Sequence, residues 1–418
     1  MINGTLPSKK HSNDFVNSVR NAEPETGCCK GDKLLFTPGP LNTSASVKSS
    51  MLSDYGSRDE TFIAIIEYIR RSLVRIAGCD IDDYTAIPLQ GAGTYAVESI
   101  FANVIGKHAG SKQALLLCNG AYGQRMVSIC RTGGYETCVL EFAENKSMDL
   151  AAVERELAKP GPKGPKQVDR YDLVMMTHCE TSTGMLNPIE SVGQMIKKYS
   201  PETQFAVDAM SSFGAVAIDF HSAKIDFLVS SANKCLEGVP GFAFVIARKT
   251  ALFETKGNCP ILSFDLFAQF ESLENTGQFR FTPPTHSMVA FKQALMEFDA
   301  DGGLEGRRKR YQENHKIIVA GMTELGFRRL LTDTDQSYII TSFYYPNDRC
   351  FEFKPFYQKL SQRGCVIYPG KTSVAPCFRI GNIGRLNANN CTKLIQCIHD
   401  VLTEMQVAIP VRYTANEK

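Results

Sequence analysis

The sequence predicts an α/β fold, with a large domain whose mostly parallel sheet is flanked by helices and a smaller α+β domain at the C-terminal end. Short apolar runs alternate with amphipathic segments from about residue 60 to about residue 250, which is the signature of βαβ units. Most of those runs end in polar or glycine-containing turns, and the rhythm changes after residue 285. At 418 residues the chain exceeds the usual size of a single core, so two unequal domains are expected.

Residues 1–32 are rich in Lys, Ser, Asn, Asp and Glu, and they lack the apolar block of a secretory signal. Their acidic residues also argue against a transit peptide, so a disordered arm is expected ahead of a large domain over 33–285. The first helix is marked by Phe62, Ile65, Ile66, Ile69, Leu73 and Ile76 at helical spacing, with Asp59 as its N-cap. Buried strands are expected over 84–89, 114–118, 173–177, 205–207, 227–229 and 242–247. The run of Pro, Gly and Lys over 159–166 excludes helix and central strand and reads as a surface loop. Met288, Phe291, Ala294, Leu295 and Phe298 form the next helical stripe, opening a small domain over 286–418.

Lys and Arg number 46 against 44 Asp and Glu, a net charge of +2 that gives no general attraction for nucleic acid or anionic membrane. No run of about 18 apolar residues is present, so no membrane span is expected. Fourteen cysteines without C-x-x-C spacing suit reduced thiols in a cytoplasmic enzyme, and neither they nor the seven histidines have metal-ligand spacing.

In an open parallel sheet, ligands bind beyond the carboxyl ends of the strands. After the strand over 84–89 comes Gln90-Gly91-Ala92-Gly93-Thr94-Tyr95-Ala96, followed by Val97, Ile100, Phe101 and Val104 at helical spacing. Glycines let the backbone approach an anion closely, and the helix N-terminus offers free N–H groups and a positive dipole end. The Thr94 hydroxyl adds a donor. Read as G-x-G-x-x-A, the stretch also matches a dinucleotide fingerprint, but the second strand ends Cys118-Asn119-Gly120 where a ribose-binding carboxylate would stand. A plain tight turn is the third reading.

Two further strand ends supply Asp208 and the segment Ser230-Ser231-Ala232-Asn233-Lys234. An anion cup, a carboxylate and a lysine around one cavity match a cofactor with a phosphate, a pyridine nitrogen and an aldehyde, which is pyridoxal phosphate. Asp208 would keep the ring nitrogen protonated, and Lys234 would bond the aldehyde. Singly, each has a plainer reading: an N-cap for the next helix, and a solvated strand end. Tyr122, at another strand-to-helix junction, would either cover the ring or pack in the core. Arg379, in the apolar stretch Cys377-Phe378-Arg379-Ile380-Gly381, points to an anionic ligand or to an internal salt bridge.

From about Leu34 to about Met405 the chain resembles class V of the fold-type I pyridoxal phosphate aminotransferases, in the group that acts on 2-aminoethylphosphonate and pyruvate. The resemblance is carried by Thr37-Pro-Gly-Pro40, Gln90-Gly-Ala-Gly-Thr94-Tyr-Ala-Val-Glu98, Asn119-Gly-Ala-Tyr-Gly123, Glu180-Thr-Ser-Thr-Gly184, Val207-Asp-Ala-Met-Ser-Ser-Phe-Gly214, Ser230-Ser-Ala-Asn-Lys234 and Phe378-Arg-Ile-Gly-Asn-Ile-Gly384. It implies that Lys234 carries the cofactor, Asp208 partners the pyridine nitrogen and Tyr122 stacks on the ring. Thr183 is implied as a hydroxyl near the ring oxygen. Gly91, Ala92, Gly93 and Thr94 form the phosphate cup, Ser231 completes the cofactor set, and Arg379 binds substrate. Thr282 is implied to reach a neighbouring subunit's phosphate, which makes the enzyme a homodimer with shared active sites.

Alanine–glyoxylate and serine–pyruvate aminotransferases share the Lys, Asp and Arg. A cysteine desulfurase would need Cys235 or Cys377 as a mobile nucleophile, and a non-catalytic protein on the same fold would need no cofactor.

Overall fold

The computed structural model describes residues 31–108, 112–160 and 170–413. Nearly all of the expected arm, and the loop from residue 161 on, lie outside the described residues. Seven strands form the central sheet: β1 (Tyr84–Gln90), β2 (Gln113–Cys118), β3 (Glu136–Glu141), β4 (Leu173–Thr177), β5 (Gln204–Asp208), β6 (Phe227–Ser231) and β7 (Phe242–Arg248). Their order across the sheet is β1-β7-β6-β5-β4-β2-β3. β7 is antiparallel to β1 and β6, and the other pairs are parallel. Every strand but β7 therefore ends on the same edge of the sheet.

The central strands are fully buried because helices cover both faces, so their sequences are continuous apolar runs such as Leu173–Met176 and Phe227–Val229. β3 breaks that pattern and was not among the strands expected from sequence. It lies at the sheet edge, partly exposed and bounded by Glu136 and Glu141, so burial did not select an apolar run there.

Helix α1 (Glu60–Ile76) is capped by Asp59, which accepts from the Thr61 N–H at 2.9 Å. It buries Phe62, Ile65, Ile66, Ile69 and Leu73 in the main core. α2 (Gly93–Val104) follows β1, and α3 (Ala121–Gly133) follows β2. α4 (Thr285–Ala300) packs Met288, Phe291, Ala294, Leu295 and Phe298 into the same core.

A second core lies under a three-stranded antiparallel sheet of β8 (Ile340–Tyr344), β9 (Tyr368–Pro369) and β10 (Cys377–Gly381), with β10 central. Phe327, Phe343, Phe356 and Phe378 fill it, together with the inner face of α5 (Ala388–Glu404). Leu34 and Phe36 join this core, because Leu34–Leu35 pairs in parallel with Cys365–Val366.

Candidate active site

At the carboxyl edge of the sheet a cavity of about 190 Å³ opens where five segments converge. Ala92, Gly93 and Thr94 come from the turn after β1, Tyr122 and Arg125 from α3, and Thr177, Cys179 and Thr181 from the end of β4 and beyond. Asp208 ends β5 with Met210 just beyond it, and Ser231 ends β6 with Asn233 and Lys234 just beyond it. Gly91 makes the bend ahead of α2, donating its N–H to Gly241 O (3.0 Å), and does not line the cavity.

Lys234 is half-buried, and loss of water pulls its ammonium pKa below the ordinary value. Its Nζ donates to the carbonyl of Pro38 at 2.8 Å. Gly39 has φ +102°, and a Cβ there would sit 2.7 Å from Lys234 Cδ. Glycine is needed at that place for both conformation and space. The Thr37-Pro-Gly-Pro40 segment, recognisable in the sequence only as a motif, thus forms the wall against which the lysine rests.

Asp208 is buried, and burial raises its carboxyl to about 6 although the Met210 N–H donates to Oδ1 at 2.9 Å. Since this value lies above the ordinary 3.8, keeping the group ionised costs the ligand-free fold stability as pH rises through about 6. A protonated ring nitrogen alongside would supply the missing positive partner.

Tyr122 is oriented from below by Glu180. That carboxylate is fully buried, and it accepts from the N–H groups of Tyr122 (3.2 Å) and Gly123 (3.3 Å) at the N-terminus of α3 and from the Ser182 hydroxyl (2.5 Å). A Cβ on Gly120 would lie 2.5 Å from the Glu180 side chain, so only glycine lets the helix start close enough to be capped this way. Burial pushes the Tyr122 phenol up, but Lys371, Lys234 and Arg379 and a hydrogen bond to Thr181 outweigh it and leave the phenol below its ordinary value.

The sequence nominated Thr183 as the hydroxyl near the ring, but Thr183 does not line the cavity. Thr183 is fully buried away from the cavity, where its hydroxyl donates to Glu180 O (3.3 Å) and accepts from the Met185 N–H (3.3 Å). The turn rotates Thr181 into the cavity instead. Thr183→Val is expected to lower stability by about 1–2 kcal/mol with the bound cofactor's absorbance intact. Thr181→Val should shift that absorbance and weaken cofactor retention, with thermal unfolding and a visible spectrum separating the two. Identical behaviour of the two variants would contradict the assignment.

Arg379 is buried, and two of its nitrogens are committed: Nε to Pro369 O (2.9 Å) and Nη1 to Thr181 O (2.8 Å). Among the described residues no carboxylate lies within ion-pair distance of it. Its charge is held by carbonyls, one of them that of the cavity residue Thr181, and the side chain does not itself line the cavity; an internal salt bridge is not what holds it among the described residues. Thr282 is exposed and outside this cavity, and its carbonyl accepts from Gln90 Nε2 at 3.0 Å. Cys235 and Cys377 are both buried with thiol pKa values raised by burial, that of Cys377 to about 11, which disfavours the thiolate a desulfurase needs.

The donor set fits pyridoxal phosphate part by part. α2 begins at Gly93 with no side chain capping its first-turn amides, which suits a phosphate. In that cavity Asp208 would partner the ring nitrogen, Lys234 would hold the aldehyde, Tyr122 would cover the ring and Thr181 would bond a polar substituent.

The family model for class-V aminotransferases matches residues 42–388. The 2-aminoethylphosphonate–pyruvate transaminase of Klebsiella pneumoniae is 45% identical over 371 residues, covering 88% of this chain and 97% of that one. That of Phocaeicola vulgatus is 46% identical, covering 88% and 98%. Among solved structures, ureidoglycine–glyoxylate aminotransferase of Bacillus subtilis superposes with a TM-score of 0.80 at 22% identity, covering 93% of this chain and 96% of that one. Alanine–glyoxylate aminotransferase of Nostoc superposes with the same score and identity, covering 92% and 98%. These two likenesses bear on the fold.

Proposed function

This chain belongs to the class-V aminotransferases, and on that premise we propose that it moves the amino group of 2-aminoethylphosphonate to pyruvate, giving phosphonoacetaldehyde and alanine, with pyridoxal phosphate as cofactor. The observation that carries the reading is one cavity joining Lys234, Asp208 and the open N-terminus of α2, in a chain whose relatives of that activity match it over nearly their whole length.

When bound, pyridoxal phosphate supplies a carbonyl that captures the substrate amine and a ring that draws off the electron pair left at the amine-bearing carbon. Asp208 holds the proton on the ring nitrogen through a charge-assisted hydrogen bond. Lys234, desolvated and so more readily neutral, takes the proton from the amine-bearing carbon through Nζ. Tyr122 and the first turn of α2 fix the ring and phosphate, so that the proton is removed along a set direction.

Arg379 receives the acidic end of each substrate in turn, phosphonate first and carboxylate second. Its bonds to Pro369 O and Thr181 O hold the guanidinium plane in place, which a lysine cannot reproduce. Arg379→Lys is therefore expected to weaken both half-reactions by about tenfold or more. Unchanged apparent affinity for both substrates would place the acid-binding group elsewhere. Steady-state rates with 2-aminoethylphosphonate, alanine and serine as donors, and pyruvate and glyoxylate as acceptors, test the substrate reading. The first donor with pyruvate should lead, and a clear preference for alanine or serine with glyoxylate would replace it.

The reading includes a homodimer in which Thr282 serves the partner's cofactor phosphate. Its support is that Thr282 is exposed, beside exposed Phe281 and bonded to the Gln90 side chain just ahead of the cup, where a two-fold partner would meet it. Sedimentation of a fully active monomer would contradict it. Among the described residues no helix is long and apolar enough to cross a membrane. The reading places the enzyme in the cytoplasm, in keeping with twelve free cysteines among the described residues, and recovery of the activity outside the cytoplasmic fraction would contradict that placement.

A further inference from the structure

Resting on that reading, we propose that Lys371 is the residue that distinguishes the phosphonate from the carboxylate substrate, by matching the second negative charge that only the phosphonate carries. Phosphate esters lose their second proton near pH 6, and a phosphonate likewise approaches a double charge at neutral pH, whereas pyruvate and the alanine carboxylate carry one. Arg379 supplies one positive charge, and two of its nitrogens already serve carbonyls. A dianion beside it needs another cation.

The cations around the site are not equivalent. Lys234 is the amine that the chemistry uses. Arg125 donates from Nη1 to the Thr94 hydroxyl at 3.3 Å, on the side of the glycine cup. Lys371 is different: its Nζ lies 4.6 Å from the centre of the Tyr122 ring, and among the described residues no carboxylate pairs with it. Its charge acts with those of Lys234 and Arg379 to lower the Tyr122 phenol, and Tyr122 itself lines the cavity.

The backbone explains why a lysine on a surface loop can be held there. Lys371 follows β9, whose Pro369 carbonyl anchors Arg379, and the next residue but one, Ser373, donates its N–H to Glu144 Oε2 at 2.7 Å. Gly370 is bonded to Cys377 O at 2.9 Å, and a Cβ there would lie 2.3 Å from that oxygen, so the turn is closed directly beneath the lysine. The loop is thereby tied to β10 at one end and to the segment after β3 at the other. Its lysine, by contrast, keeps a flexible stem and three free donors that can follow a phosphonate oxygen.

The test uses the full-length, cofactor-loaded enzyme and its Lys371→Met and Lys371→Arg variants. Each is titrated separately with 2-aminoethylphosphonate and with L-alanine while the cofactor's visible absorbance is followed. Both ligands react with the same cofactor form, so alanine controls for folding and cofactor content within each variant. Lys371→Met should raise the apparent dissociation constant for 2-aminoethylphosphonate by at least about fivefold and that for alanine by less than about twofold, and Lys371→Arg should restore most of the difference. Equal changes for the two ligands, no change for either, or a failure of arginine to restore the phosphonate would overturn the assignment. A wild-type enzyme that reacts with alanine but not with 2-aminoethylphosphonate would overturn both this inference and the substrate reading on which it rests.

Discussion

Lys234→Ala is expected to lose turnover altogether and to lose the visible absorbance of the covalently held cofactor, while its far-ultraviolet circular dichroism stays that of the wild type. The side chain reaches across from just beyond β6, and its removal breaks a hydrogen bond to Pro38 O at 2.8 Å and a long one to Gly39 O at 3.5 Å, in a wall otherwise made by backbone. The fold therefore has little to lose, about 1–2 kcal/mol by the net worth of such bonds. The chemistry loses its attachment point and its proton carrier together. A variant that retained the coloured species and normal rates would remove Lys234 from the mechanism.

Asp208→Asn is expected to keep the cofactor in place but slow turnover by two or more orders of magnitude. The amide is nearly the same size and can still accept from the Met210 N–H, so the buried pocket is preserved. What it cannot do is stabilise a proton on the ring nitrogen by charge. A carboxylate in so buried a place, with an ordinary carboxyl already shifted to about 6, should contribute several kcal/mol to that proton. Because burial ceases to oppose an ionised group, the same variant should also lose the cost that Asp208 imposes on the ligand-free fold, which grows as pH climbs from the ordinary 3.8 to about 6 and stays constant above that. Urea unfolding of cofactor-free protein at about pH 4 and about pH 8 reads that difference. Wild-type activity in Asp208→Asn would refute the role.

The central strands could be read from sequence because burial on both faces of a parallel sheet leaves little choice of residue, as Leu173–Met176 and Phe227–Val229 illustrate. The edge strand Glu136–Glu141 had no such constraint and carried no signal. Asp208 and Lys234 could be named because the last apolar residue of a strand fixes where the chain emerges. The choice between Thr181 and Thr183 could not be made that way. Three hydroxyls stand in succession at 181–183, and only the turn from Glu180 to Gly184 decides which faces the cavity. Glu180 itself was quoted as part of a motif without a role, since nothing local reveals that it caps a helix some sixty residues earlier in the chain. The same holds for Pro38 and Gly39: their contact with Lys234 spans nearly two hundred residues and depends on how the N-terminal strand is drawn beneath the second core.

The most direct test of the account is a single turnover, watched in two stages, on cofactor-loaded enzyme. Addition of 2-aminoethylphosphonate without an acceptor should bleach the visible absorbance and release one phosphonoacetaldehyde per site, and pyruvate should then restore the absorbance and yield one alanine per site. An enzyme left unchanged by 2-aminoethylphosphonate, yet bleached by alanine or serine and restored by glyoxylate, would contradict it.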